Sequence, residues 1–388
     1  MKIIHTINYF QPQLGYQEYF LAKEHVKLGH EVHVITSDRY YPIEDYDNTA
    51  KPVLGDRILT PGESRLEGFT IHRLETLLEK GARVKLKNIE RLIEKINPDL
   101  VIHHGVTSNY LINNVVSCQR KLKFRLICDN HMHFCAEDHI KTLSKLYNFL
   151  YYYLHYHLYW KKSVTKFVAY SEDVKGYLTI RNYIPASHID IIPLGVDINL
   201  FRFNQETRNK YRKEYNYAED ETVIIYTGKL IKSKDPILIF HACKEFMIEK
   251  KIKLLFIGSF SETYKAEFSD AIAGYEPHIR VIDIVPNKEL VNYYNMADIA
   301  IWPKQASMAM LEAAACRLPL IIPTIVEDRI KNGNGISFEE GNVIELKKAI
   351  ELMISDKEKL ITMGLNSESY IRDQYDWQSI AKQFIAVS

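Results

Sequence analysis

The chain has 388 residues, 46% hydrophobic and 26% charged, which leaves room for about two domains of ordinary size. Its 50 Lys and Arg against 49 Asp and Glu give a formal charge of +1, so nothing global argues for a nucleic-acid partner. Five scattered cysteines without a CxxC pair fit a reducing cytosol better than a disulfide framework, and no run of about 20 apolar residues offers a membrane span.

Lys2 to Ile7 reads as a buried strand; the opening MKIIHTINYFQPQLG turns polar too soon for a signal peptide. A loop with Pro12 and Gly15 follows, then a helix over Tyr16 to Leu28 stopped by Gly29, then a strand over Glu31 to Thr36. This β-loop-α-β unit opens a doubly wound domain. The segment from Asp38 to Glu67 has no period and reads as a long loop. Ile71 to Leu74, Leu100 to His103, Phe124 to Cys128, Val164 to Tyr170 and His188 to Pro193 read as strands. Helix patterns cover Lys85 to Ile96, Ser108 to Gln119 and Ile140 to Lys162, and Ser171 can cap a further one. Gly195 to Phe201 looks like a hinge.

The second half repeats the alternation. Strands are expected at Thr222 to Thr227, Ile252 to Ile257, Ile279 to Ile282 and Ile299 to Trp302, and the run from Leu318 ends at Pro323. Helices are expected at Ile237 to Lys250, Thr263 to Ala273, Asn287 to Met296 with Asn287 as cap, Val343 to Ile354, Lys357 to Arg372 and Trp377 to Val387.

The stretch DIAIWPKQASMAMLEAAACRLPLIIP, Asp298 to Pro323, reads as strand, turn, helix, strand. In a parallel sheet, the strand's carboxyl end and the next helix's amino end form a crevice that suits an anion, typically a phosphate. Glu312 lies about two turns into that helix, among Ala, Met, Leu and Cys. A carboxylate there is either a surface residue or an acceptor for hydroxyl groups of a bound ligand. Gly228 and Lys229 follow another strand and Lys234 lies just beyond; they are either solvated lysines or cations bracketing a diphosphate. Gly15 would let the backbone approach a phosphate or sugar, but it is not part of a GxGxxG.

Cys128, His131, His133 and Cys135 have the residue types of a zinc site without its paired spacing. Cys128 reads as a small buried residue and His131, at the strand's end, as a hydrogen-bonding group for substrate, so no metal site is assigned. Asp45 and Asp47 read as solvent-exposed. The aromatic helix Tyr147 to Trp160, with Lys141, Lys145, Lys161 and Lys162 around it, is either a core helix or an interfacial face touching a bilayer or a lipid-linked substrate.

Several short patterns stand in one order: Gly15 with Leu28-Gly29-His30-Glu31-Val32, His131, Ser171-Glu172, Pro193-Leu194-Gly195-Val196-Asp197 before Phe201, Gly228-Lys229-Leu230 with Lys234, Ala297-Asp298, and Glu312-Ala313 with Pro319. Taken together over nearly the whole chain, they resemble the retaining GT-B glycosyltransferases of glycosyltransferase family four. The resemblance implies an α/β fold of two Rossmann-like doubly wound domains facing across a cleft. Residues 1–195 would bind the acceptor, a C-terminal helix at about 373–388 would pack back on them, and residues 196–372 would bind the donor.

The resemblance also implies roles. Lys229 and Lys234 would bind the donor diphosphate, Lys229 replacing the family's arginine. Glu312 matches the second glutamate of the family's E-x7-E pattern, which holds the ribose. The first glutamate is Lys304 here, and Gln305, Ala306 and Ser307 replace the usual Gly-Phe-Gly, so the pattern is half kept at the donor sugar's wall. Met308 would also line the donor site, Ile284 and Val285 would lie near the base, and His131 would contact the transferred sugar. The implied partners are a UDP- or GDP-sugar donor and a glycan or lipid-linked acceptor, with no cofactor and no metal. The chain would be cytoplasmic, with the inner face of the membrane as the alternative location. Rival readings are a nucleotide-sugar epimerase of the same fold and a non-catalytic scaffold whose motif has decayed at Lys304.

Overall fold

In the computed structural model the described residues are all but 44–45, 82, 107–108, 133–141, 305–306 and 388. They form two compact units, Met1–Gly195 with Trp377–Ser388, and Val196–Asp376. The chain returns to the first unit at Trp377, a few residues later than the expected 373.

The first unit is built on a sheet of eight strands. In chain order they are β1 (Lys2–Thr6), β2 (Glu31–Ser37), β3 (Gly62–Leu66) and β4 (Phe69–Leu74), and, after a two-stranded ribbon of β5 (Thr76–Lys80) and β6 (Arg83–Leu86), β7 (Leu100–His104), β8 (Arg125–Asn130), β9 (Lys166–Ala169) and β10 (Ile189–Ile191). Their spatial order is β10-β9-β8-β7-β1-β2-β4-β3, parallel apart from β3. From β1 the chain steps to β2 on one side, and β7 lies on the other, so the topological switch falls between β1 and β7. Both faces carry apolar clusters, as parallel sheets require. One is covered by helices that include Ile89–Ile96 and Asn109–Leu122. The other is covered by Gln17–Lys27 and the last helix, Trp377–Ala386. Trp377 stacks on Phe20 at 5.0 Å between ring centroids. Gly195 makes room for it, since a Cβ there would stand 2.5 Å from the indole.

Several elements differ from the sequence reading. The segment read as a structureless loop holds short helices at Tyr46–Thr49 and Lys51–Leu54 and the edge strand β3. Tyr40, Ala50 and Leu54 give it a small core of its own, while β3 is exposed and polar, so neither left a period to read. Lys85 and Leu86 belong to β6, and the helix begins only at Ile89. The aromatic helix is described from Thr142 to His155 and ends in a π turn, Tyr156–Trp160, in which Lys161 donates to the Tyr156 carbonyl. Tyr152, Tyr156 and Trp160, spaced by four, are buried, whereas Leu150, Tyr153, Leu154, Leu158 and Tyr159 are exposed. Ser171 caps its helix by accepting from the Val174 amide.

The second unit has a six-stranded parallel sheet made of β11 (Thr222–Thr227), β12 (Ile252–Ile257), β13 (Ile279–Ile282), β14 (Ile299–Ile301), β15 (Leu320–Pro323) and β16 (Gly335–Phe338). Their order is β13-β12-β11-β14-β15-β16, which places the switch between β11 and β14. Trp302, buried just past β14, donates from Nε1 to the Thr227 carbonyl at the end of β11 and ties the two ends together.

The helix Gln205–Glu214 was not expected from the sequence. It is polar, capped by Asn204, and held by Arg208 and Arg212, which both pair with Asp298. Asp298 also accepts from the Val223 amide, so this carboxylate anchors the helix to β11.

Candidate functional site

All strands of the second sheet are parallel, so the segments after β11, β12, β13 and β14 share one edge. There the Gly228–Leu230 loop lies against the segment after β12: the Gly228 amide donates to the Ile257 carbonyl and the Leu230 amide to the Ser259 carbonyl, both at 2.9 Å. From below, the Tyr226 hydroxyl donates to the Lys229 carbonyl at 2.9 Å. Gly228 has φ +141° and Gly258 φ +151°. A Cβ on Gly258 would stand 1.9 Å from the Gly228 carbonyl oxygen, so only glycine permits this approach. The loop is thereby fixed with Lys229 exposed at its tip and Lys234 half-buried behind it.

Lys304, after β14, pairs with Asp235 at 3.3 Å, which ties the start of this turn to the end of the β11 loop. Gln305 and Ala306 lie outside the described residues. Ser307 is the N-cap of the helix Met308–Ala315, but its side chain caps nothing; its carbonyl accepts from the Arg329 guanidinium. Met308 is half-buried, Ile284 is 73% exposed and Val285 is half-buried.

Glu312, on the second turn of that helix, accepts a hydrogen bond from Asn287 Nδ2 at 2.9 Å. Asn287 therefore does not cap the helix as expected. It lies in a short 3-10 turn, and the helix proper runs Leu290–Met296. Burial pushes the Glu312 carboxyl up to about 7, against the smaller lowering pull of Asn287.

Gly15 and His131 lie on the carboxyl edge of the other sheet. Gly15, at φ +65°, closes the turn Pro12–Leu14 after β1 and is exposed. His131 follows β8, which runs on through Asp129 and Asn130 beyond the expected end at Cys128. Its side chain is 40% exposed, and Nε2 faces Asp129 Oδ1 at 3.7 Å. Asp129 is buried and accepts from His104 Nδ1 at 2.6 Å and from the Gly105 amide at 3.2 Å. Burial works to raise the Asp129 carboxyl, but the charge and hydrogen bond of His104, then those of His131, hold it far below the carboxylate range. Burial pulls the His131 imidazolium down, and Asp129 and then Glu18 outweigh it, leaving it above the usual histidine value.

The candidate residues thus fall on two sheet edges. Gly228, Lys229, Lys234, Ile284, Val285, Lys304, Ser307, Met308 and Glu312 belong to the second unit, Gly15 and His131 to the first. Asp129, His104, Asn287 and Asp235 were not singled out as site residues in the sequence. The signals were present in Asp129-Asn130-His131 and His103-His104-Gly105 at adjacent strand ends. Of the zinc-like set, Cys128 is buried, with burial raising its thiol, while His133 and Cys135 lie outside the described residues. Among the described residues no three His, Cys, Asp or Glu side chains form a metal-binding group. Asp47 is exposed and pairs with Lys51 at 3.3 Å; Asp45 lies outside the described residues.

Comparison with known proteins gives the class. Residues 207–370 match the family described as glycosyl transferases group 1, and residues 19–200 match glycosyltransferase family 4. The chain belongs to these GT-B glycosyltransferases. It is 24% identical over 247 residues to spore coat protein SA of Bacillus subtilis, covering 58% of this chain and 65% of that one. It is 24% identical over 237 residues to the lipopolysaccharide 1,2-N-acetylglucosaminetransferase of Salmonella typhimurium, covering 56% and 60%. The match therefore spans less than two thirds of these relatives. Among solved structures, HepE of Anabaena in complex with UDP superposes with a TM-score of 0.71 at 14% identity, covering 100% of this chain and 99% of that one. A glycosyltransferase of Rickettsia africae gives 0.72 at 16%, covering 100% and 97%. At these identities the likeness is one of fold.

The raised Glu312 value has a consequence for stability. A carboxyl whose folded pKa lies above its unfolded value contributes most below about 4.5, and that contribution is lost as pH rises through about 7. Glu312→Gln keeps the Asn287 partner and cannot ionise. Its melting temperature should exceed wild type at pH 8, with the gap closing by pH 5. A gap that is constant across this range in thermal melts contradicts the buried-carboxyl assignment.

Proposed function

We propose that the chain is a retaining glycosyltransferase that moves a sugar from a nucleotide-diphosphate sugar to a hydroxyl of a glycan or lipid-linked acceptor, in the synthesis of a bacterial surface polysaccharide. The observation that carries this reading is the half-buried Glu312 carboxyl, its pKa raised by desolvation, on the sheet edge that also presents the Gly228–Lys229 loop. A ribose is the part of a nucleotide that offers a carboxylate two adjacent hydroxyl donors. HepE, which has this fold and was crystallised with UDP, supports a uridine carrier. The Salmonella relative, a lipopolysaccharide enzyme by name, supports the acceptor class.

In this reading Glu312 takes the ribose, and Lys229 and Lys234 neutralise the diphosphate as the glycosidic bond breaks. The acceptor hydroxyl attacks from the face the diphosphate leaves, so the anomeric configuration is kept. His131, its Nε2 turned to Asp129, offers Nδ1 to the transferred sugar. The lysines carry the leaving-group charge, so no metal is required. Lys304, engaged with Asp235, serves to hold the two donor loops together.

Charged hydrogen bonds are worth about 1.5–3 kcal/mol each, so Glu312→Ala should lower transfer from the cognate UDP-sugar by about 10²-fold or more with the fold intact by circular dichroism. Transfer near the wild-type rate contradicts the ribose assignment, and full loss of wild-type transfer on adding EDTA contradicts the metal-free mechanism. The exposed Leu150, Tyr153, Leu154, Leu158 and Tyr159, followed by exposed Lys161 and Lys162, support contact with an anionic bilayer in the same reading. No helix among the described residues is long and apolar enough to cross a membrane. Co-sedimentation with phosphatidylglycerol vesicles should be lost in the double variant Leu154→Glu, Leu158→Glu; binding that survives it contradicts this face as the contact.

A further inference from the structure

Behind Asp129, inside the first unit, three histidines stand in a row. Asp129 Oδ2 meets His104 Nδ1 at 2.6 Å, His104 Nε2 meets His5 Nδ1 at 2.9 Å, and His5 Nε2 meets His25 Nδ1 at 3.1 Å. His25 Nε2 then meets the Ala381 carbonyl of the last helix at 3.1 Å. The rings of His5 and His104 lie in nearly parallel planes, 5° apart, with centroids 5.3 Å apart, and are joined end to end through their nitrogens. His5 and His25 are 0% exposed, His104 4% and Asp129 2%, so solvent does not supply alternative partners.

The row can be counted in protons. It has four contacts, and each needs one proton. Three neutral imidazoles supply three. The carbonyl at one end only accepts, and an ionised carboxylate at the other end only accepts. Without a fourth proton, one buried contact must bring two lone pairs together, which is costly in an interior without water.

We propose that Asp129, His104, His5 and His25 form a positioning row for His131 that retains a fourth proton as a buried His104 imidazolium–Asp129 carboxylate pair. This rests on the reading of His131 as the residue that contacts the transferred sugar. The short 2.6 Å contact is where a charge-assisted bond is expected. Gly105 and Gln17 also donate to Asp129, which suits a carboxylate rather than an acid. Burial lowers His5 far below the usual histidine value and His25 to about 4, so the two outer rings remain neutral. Both are then the Nε2–H tautomer, and every contact is filled. Other titratable groups face the row: Glu18, raised by burial, near Asp129; His103, lowered to about 3 by burial, beside His104; and His30 beside His25. The paired charge keeps Asp129 from drawing His131 fully into its cationic form, and it fixes the carboxylate to which His131 is turned.

Two substitutions at His25, at the far end of the row, separate this account from simple packing. In His25→Gln the amide oxygen accepts from His5 and its NH₂ donates to Ala381, so the four-proton pattern is kept. In His25→Leu only two contacts remain for two histidines, and both are filled with every ring neutral. Nitrogen NMR of ¹⁵N-histidine-labelled full-length protein at pH 8 should show both His104 nitrogens protonated in wild type and His25→Gln, and one in His25→Leu. His131 should titrate higher in the leucine variant by about half a unit or more, since one unit is about 1.4 kcal/mol of interaction. A neutral His104 in wild type, or the same His104 and His131 signals in both variants, overturns the row. In the transfer assay, His25→Leu should lower kcat about 5-fold or more, and His25→Gln should retain it, with donor KM unchanged in both. A kcat unchanged in the leucine variant overturns the positioning role. If wild-type protein transfers no sugar while its NMR pattern is as described, the row stands and the reading of His131 in transfer falls.

Discussion

The close approach of Gly258 to the Gly228 carbonyl is the constraint on which the second unit's site depends. Two neighbouring parallel strands end there, and the ladder between them continues for three further bonds into the loops. That continuation is only open to a chain without a Cβ at Gly258. It holds the Gly228–Leu230 backbone, and through it the placement of Lys229. Lys304 joins from the strand on the other side of β11 through Asp235, so the two loops at the topological switch are linked by charge as well as by backbone. Glu312 sits in the same edge and accepts from the neutral Asn287 amide. The edge therefore combines cations, which suit a diphosphate, with a carboxyl whose charged form burial disfavours.

The first unit solves a different problem at the corresponding edge. Asp129 is buried, and a lone buried carboxylate is costly. His104, the Gly105 amide and Gln17 satisfy it, and the histidine row carries the hydrogen bonding inward to the last helix. That helix is also the one whose Trp377 and Phe384 close the sheet's apolar face. Charge at the edge and packing at the back of the sheet thus meet in one set of contacts between Gln17–Lys27 and Trp377–Ala386.

Most central strands were legible because parallel strands buried on both faces are short, continuous apolar runs, as in Thr222 to Thr227 and Ile252 to Ile257. What escaped was stabilised by groups that leave no apolar period. The helix Gln205–Glu214 is anchored by Arg208 and Arg212 on Asp298, and β3 by its backbone ladder to β4 and the Glu63–His72 pair. Asn287 had the right type and place for a cap, and its side chain instead serves Glu312 from 25 residues away. Glu312 itself was legible as one acid in an apolar helix. The histidine row was not, because His5, His25 and His104 are brought together only by the order of β1, β7 and the first helix.

We propose the second unit's sheet edge as a nucleotide-diphosphate site with Glu312 as its ribose ligand. The most direct measurement is a crystal structure of the protein with UDP. Both ribose hydroxyls are expected at hydrogen-bond distance, about 3 Å, from the Glu312 carboxylate, with the diphosphate over the Gly228–Lys229 backbone. UDP bound with its ribose away from Glu312, or at another edge of the molecule, would contradict it.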